Sequence, residues 1–149
     1  MTQVFNLAAR AGKRGDVPIG AVIVRDGKII ARGENLVQRK QNPTLHAEIV
    51  AINRACKKLG TKFLDDCDIY VSLEPCAMCA TAISFARIRT IYFAAMDNKG
   101  GGITSNARVF ENDKHLWHPN IVYMSEYADM SAKMLREFFA LRRKEQKAE

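Results

Sequence analysis

The apolar positions change their period several times along the chain, and each change marks an element. Val4, Leu7, Ala8 and Ala11 recur at helical spacing and predict a short helix over Thr2–Ala11, ended by Gly12. Lys13-Arg14-Gly15-Asp16 is a polar turn, and Pro18 reopens the chain in extended form. Ile19–Val24 is a β-rich apolar run, Asp26-Gly27 a strong hairpin signal, and Lys28–Gly33 the returning strand, so these two strands are expected to be antiparallel neighbours. Residues 34–44 are polar and irregular. Pro43-Thr44 then offers a start to a helix over about 45–59, closed by Gly60, with Ile49, Ile52, Cys56 and Leu59 as its buried face. Asp68–Leu73 reads as a third strand, Cys76–Ala86 as a helix opened by Pro75, and Ile88–Ala95 as a fourth strand. A glycine loop at 97–102 leads through a poorly periodic stretch to a short strand at 121–124. A final helix from about Tyr127 sets Met130, Met134, Phe138 and Leu141 on one face, expected to be buried.

More than twenty residues separate the fourth and fifth strands, which is too long for a tight hairpin and long enough for a crossover. Those two strands are therefore expected to be parallel, giving an α/β, three-layer α/β/α domain on a five-stranded mixed sheet. The chain reads as one domain over residues 1–149, with no linker.

Composition adds little until charge is placed. The chain holds 48% hydrophobic and 26% charged residues, ordinary for a globular protein. The first ten residues carry no apolar stretch of signal-peptide length and no run approaches a membrane span, so a cytoplasmic location is expected. The formal charge of +7 suits a polyanionic partner, and the basic residues gather at the end: Lys133, Arg136, Arg142, Arg143, Lys144 and Lys147 face only three acidic groups in the same stretch. Two of the four cysteines form C-x-x-C, which favours metal or redox chemistry over disulfides; Cys56 and Cys67 read as small buried hydrophobes.

The chemistry concentrates in a divided pattern, Leu45-His46-Ala47-Glu48-Ile49 and Leu73-Glu74-Pro75-Cys76-Ala77-Met78-Cys79. One histidine and two cysteines are three ligands suited to zinc, the number a catalytic zinc takes, with the fourth position left to water. Cys76 and Cys79 share a face in the first turn of their helix, where the dipole favours thiolates. Bound zinc makes water acidic enough to ionise near neutral pH, and Glu48, two residues from the histidine, is placed to carry its proton. A structural zinc ribbon needs a second C-x-x-C that Cys56 and Cys67 do not form, and a redox pair leaves His46 and Glu48 unexplained. His115 and His118 are further ligands on spacing grounds, though their irregular setting suits surface or substrate-contacting roles better.

H-x-E…P-C-x-x-C is the signature of zinc nucleobase deaminases. Residues from about Val17 to Lys99 resemble the cytidine-deaminase-like superfamily. The whole chain is similar to the bacterial tRNA-specific adenosine deaminases, through Gly15–Val22, Asn35, the Leu73–Cys76 run, Asp97–Gly100 and the closing Phe138–Lys144. The resemblance implies one zinc per chain on His46, Cys76 and Cys79, Glu48 as catalytic proton carrier, conversion of adenosine to inosine at the wobble position of a tRNA anticodon stem-loop, and a homodimer. It places Asn35 on the edge of the base, where a turn-forming role competes. The Ala47 N–H is a candidate donor to substrate, and Leu73 and Ile19 are candidate apolar walls. Asp97 and Lys99 fall in a loop beside the neighbouring nucleotides, or are only polar loop residues, and Met96 stands where a polar or basic residue is more usual. The tail with Arg142, Arg143, Lys144 and Lys147 reads either as a phosphate clamp or as a solvated helix end stabilised by its own dipole. Two other functions stay open: a deaminase of a free base or nucleotide of the guanine, cytosine or deoxycytidylate type, and a non-catalytic zinc-stabilised RNA-binding module. The glutamate argues against the second and the basic tail against the first.

Overall fold

Two adjacent residues in the left-handed region, Asp26 (φ 51°) and Gly27 (φ 73°), turn the chain back on itself as a two-residue hairpin requires. They join β1 (Gly20–Arg25) to β2 (Lys28–Glu34) with Arg25 opposite Lys28, and a bulge between Ile23 and Val24 raises the local twist. In the computed structural model, which describes residues 1–149, these strands belong to a five-stranded sheet of order β2-β1-β3-β4-β5, completed by β3 (Asp68–Leu73), β4 (Thr90–Ala95) and β5 (Asn120–Tyr123). β1 runs antiparallel to β2 and β3, whereas β3, β4 and β5 are mutually parallel. The sheet is mixed, as the connection lengths imply.

Alternation along the strands divides the side chains between two helical layers. Ala21, Ile23, Ile69, Val71, Ile91 and Phe93 meet α3 (Ala47–Leu59) and α4 (Ala77–Phe85) in one large core, while Val22 meets Val4 and Leu7 of α1 (Thr2–Lys13) on the other face. α6 (Ala128–Ala148) lies beside α1 on that second face, against β4. Two short helices, α2 (Val37–Lys40) and α5 (Val109–Asn112), sit inside stretches that carry no period and were expected to be irregular. Each has only four residues, too few for periodicity to register. No helix is long and apolar enough to cross a membrane.

Two buried faces differ from expectation. In α3 the core takes Ala47, Ala51, Ile52 and Ala55, with Cys56 and Leu59 packed against it at partial burial, whereas Ile49 is half-buried outside that cluster. The alanine stripe lets the helix approach β2 so closely that a Cβ on Gly33 would fall on the Ala47 carbonyl and the Ala51 amide. In α6 the expected face is wrong by one position. Met130 (51% exposed) and Leu141 (57%) face solvent, Met134 and Phe138 are half-buried, and only Ser131 is buried. The Ser131 hydroxyl donates to the Ser72 carbonyl near the end of β3, and this tie fixes the helix rotation that turns Met130 outward.

Gly33→Ala is expected to cost about 3 kcal/mol in unfolding free energy, because overpacking here is against backbone that cannot repack. A denaturation midpoint within error of the wild type contradicts that packing.

Candidate active site

α3 and α4 open side by side at one end of the sheet. His46 and Cys76 occupy the same structural position, each the residue before the first turn of its helix, in extended conformation (φ −65°, ψ 157° and φ −69°, ψ 173°). Cys79 follows one turn into α4 and is buried. The three donor atoms lie within 4.8 Å of one another, with His46 Nδ1 3.5 Å from Cys76 Sγ and 3.6 Å from Cys79 Sγ. In a tetrahedral site with Zn–S of about 2.3 Å and Zn–N of about 2.05 Å, the N···S edge is about 3.6 Å. Spacing and donor chemistry both fit zinc. The hydrogen bond from Cys79, and then that with His46, holds the Cys76 thiol down to about 4. Cys79, donating to Cys76 and buried, is pushed up, and the hydrogen bond with Cys76 raises His46.

Glu48 sits one step inside α3, 4% exposed, and burial drives its carboxyl up. It lies two residues from His46, and the charges of the neighbouring Cys76 and His46 act on its carboxyl as well, beside the His46, Cys76 and Cys79 cluster. A carboxyl held up by burial beside this donor cluster is placed for proton transfer.

The sheet register places the other residues singled out in the sequence. Gly20 faces Glu34 on one side, and its N–H donates to the Ser72 hydroxyl on the other; the next row holds Asn35, whose N–H donates to the Ile19 carbonyl, and Leu73, paired with Ala95. By the strand alternation, Asn35, Ile19 and Leu73 all fall on the face that carries α3 and α4. Asn35 is buried, and its Oδ1 accepts the Val37 N–H, which makes it a turn former; Nδ2 has no partner in the fold. Ala47 is fully buried at the start of α3, and its N–H donates to no backbone carbonyl. Asp97 spends its Oδ1 on the Lys99 and Gly100 amides, while Lys99 and Met96 are exposed.

Residues away from this end take other roles. His115 lines a surface cleft with Phe63, Phe85, Arg87 and Trp117 at the C-terminal end of α4, and His118 packs edge-on to Phe110, so neither joins the ligands. Cys67 is buried and its thiol is pushed up to about 12 by burial; Cys56 is half-buried, and both are free. In the tail, the Arg142 guanidinium donates to the Gly15 carbonyl at 2.7 Å and pairs with Glu145, whereas Arg143, Lys144 and Lys147 are exposed.

One network beside the pocket has no signal in the sequence. Asp16, fully buried, accepts Arg39 Nε at 2.5 Å and the Gln38 N–H at 2.7 Å. Arg39 also reaches Glu34 at 3.0 Å and the Asn35 carbonyl at 3.1 Å, and Arg10 of α1 closes on Glu34 at 2.6 Å. Four charges separated by up to 29 positions thus hold the turn that carries Asn35, and nothing periodic links them.

Comparison with known proteins gives consistent matches. The MafB19-like deaminase family matches residues 1–143. A tRNA-specific adenosine deaminase of Agrobacterium fabrum is 48% identical over 91% of this chain and 89% of its own length. A solved structure from work on A-to-I editing by tRNA:A34 deaminases at the wobble position superposes with a TM-score of 0.81 at 46% identity, covering 83% of this chain and 95% of that one. A guanine deaminase of Bacillus subtilis is 55% identical, but over only 52% of this chain and 50% of its own length.

Arg39→Met is expected to lower the unfolding free energy by about 3 kcal/mol, since it leaves the fully buried Asp16 carboxylate without its cation while Glu34 keeps Arg10. Urea denaturation checks this, and a change below about 1 kcal/mol contradicts the charge-locked turn.

Proposed function

The chain belongs to the MafB19-like deaminases and, within them, to the tRNA-specific adenosine deaminases, and on that premise we infer how its own residues carry the reaction. It is a hydrolytic deaminase that converts adenosine to inosine at the wobble position of tRNA. The observation that carries the assignment of residues is the convergence of His46, Cys76, Cys79 and Glu48, from two helix starts, at the sheet end that also presents Asn35, Ile19 and Leu73.

His46, Cys76 and Cys79 hold one zinc per chain, which supplies Lewis acidity and lowers the pKa of water to about 7. Glu48 takes the proton of the attacking water and delivers it to the ring nitrogen next to the attacked carbon. It then carries the adduct's hydroxyl proton to the departing amine, so water and adenosine become inosine and ammonia. Asn35 offers its free Nδ2 to the base edge, Ala47 its N–H, and Ile19 and Leu73 the apolar walls. Asp97 and Lys99 border the flanking nucleotides of the anticodon stem-loop, in which the target base is splayed out. Arg143, Lys144 and Lys147 contact phosphates directly. Arg142 contributes by fastening α6 to the Gly15 turn, next to Asp16 and the network that holds Asn35. A homodimer in the cytoplasm is the assembly and location this reading carries; Phe85 (70% exposed) and Trp117 (48%) offer apolar surface for association.

The assignment is tested by incubating the purified protein with bacterial tRNA and with free guanine, adenosine and cytidine, followed by nucleoside analysis. Inosine at the wobble position is the expected product, and deamination confined to a free base overturns the reading. Glu48→Gln is expected to reduce turnover by at least about a hundred-fold, the scale of one acid–base group, with zinc content unchanged. Loss of zinc together with activity contradicts its role as proton carrier.

The tail divides into two kinds of residue. Arg143→Met is expected to weaken hairpin binding and flatten the slope of log affinity against log salt by about 0.7, one phosphate contact. Arg142→Met is expected to weaken binding with the slope unchanged, because its guanidinium is spent on Gly15 and Glu145. Equal flattening by both variants contradicts that division.

A further inference from the structure

Glu74 is almost fully buried, 2% exposed, yet no residue of opposite charge pairs with it. Its carboxylate is instead surrounded by six donors from one loop. Oε1 accepts the Asp97 N–H (3.2 Å), the Thr104 hydroxyl (3.3 Å) and the Ser105 hydroxyl (2.5 Å). Oε2 accepts the N–H groups of Ile103, Thr104 and Ser105 at 3.0–3.1 Å. Such a set of backbone amides around one anion is stronger than neutral hydrogen bonds and leaves the loop no competing partner. The loop is also laid directly on the ligand segment: Gly101 bridges to Cys76, and the Gly102 N–H donates to the Pro75 carbonyl at 2.7 Å. A Cβ on Gly101 would fall on Glu74 Oε2, and one on Gly102 would sit 2.5 Å from the Ala77 amide nitrogen, so both positions require glycine to let the backbones meet.

We propose that Glu74 is a positioning residue for substrate: its buried carboxylate clamps residues 97–105 onto the Cys76 turn in the one shape that presents Asp97 and Lys99 beside the target nucleotide. The proposal rests on the deaminase reading given above for what the loop touches. It does not depend on that reading for the clamp itself. The chain gains a rigid edge to its pocket from a single side chain, and the Asp97 amide at one end of the loop and the 103–105 amides at the other are tied to the two oxygens of the same group.

The two oxygens make the test selective. In Glu74→Gln the amide nitrogen can take the Oε1 place and donate to the two hydroxyls, which rotate to accept, while the remaining oxygen keeps the three amides of 103–105. Only the Asp97 N–H is left facing a donor. The expected result for the zinc-loaded variant is unchanged zinc content, amide exchange at Asp97, Lys99 and Gly100 faster by about ten-fold or more, and a KM for an anticodon hairpin raised about ten-fold with kcat within about three-fold, the scale of one charged hydrogen bond. Ser105→Ala, which removes the hydroxyl and keeps every backbone donor, is expected to do the same more weakly, and serves if the glutamine variant does not fold. Exchange and KM both at wild-type values overturn the proposal. So does lost zinc with a collapsed kcat at unchanged KM, which assigns Glu74 to the ligands instead. If the wild type leaves hairpin adenosine intact, the functional reading fails, and the exchange comparison still decides whether Glu74 holds the loop.

Discussion

Three donor atoms from two separate segments must meet within a few ångströms, and this requirement orders the rest of the molecule. His46 and Cys76 each stand at the threshold of a helix, so α3 and α4 have to begin side by side at the same sheet end. The β3-to-β4 crossover brings α4 to the face on which α3 already lies, and the β1–β3 pairing sets the hairpin that carries Asn35 against it. The helix N-termini contribute donors and positive potential to the same point, which suits thiolates and a polar substrate alike. The donor cluster thus lies just beyond the C-terminal end of β3, the end at which α/β enzymes commonly bind their ligands.

The precision of that meeting comes from small residues and from buried charge rather than from large apolar side chains. Alanines 47, 51 and 55 and Gly33 bring α3 within backbone contact of β2, and Gly101 and Gly102 bring the 97–105 loop onto the Cys76 turn. Buried anions do the fastening. Asp16 and Glu34 hold the Asn35 turn through Arg39 and Arg10, and Glu74 gathers the 97–105 loop, where against the upward push of burial the Ser105 hydroxyl and then the loop amides lower its pKa. Removing one partner from such a set is costly, because the remaining charge stays desolvated. Two networks built on buried carboxylates therefore flank the His46, Cys76 and Cys79 cluster, Asp16 and Glu34 on one side and Glu74 on the other.

Much of this was legible beforehand, for physical reasons that differ between elements. Asp26-Gly27 declared its hairpin because only a few residue pairs accept positive φ twice running. The H-x-E and P-C-x-x-C segments foretold that His46, Cys76 and Cys79 would meet, because ligand chemistry restricts both residue type and spacing. Periodicity misled where a polar tie or a small residue set the helix rotation: Ser131 binding Ser72 turned Met130 outward, and the alanine stripe took the place expected of Ile49. Arg142 read as a free cation until the Gly15 carbonyl was found against it. The Asp16–Arg39–Glu34 network and the six donors around Glu74 are tertiary arrangements of residues that look like ordinary surface polar groups in one dimension. No local pattern records them.

The central claim is that this fold holds one metal on one nitrogen and two sulfurs, with Glu48 beside it and not bound to it. X-ray absorption at the zinc edge of the zinc-loaded protein measures that directly. The expected spectrum has two sulfur neighbours at about 2.3 Å and one protein nitrogen at about 2.0–2.1 Å, and is the same in Glu48→Gln. A shell of four sulfurs, or a carboxylate oxygen that disappears in Glu48→Gln, contradicts the account.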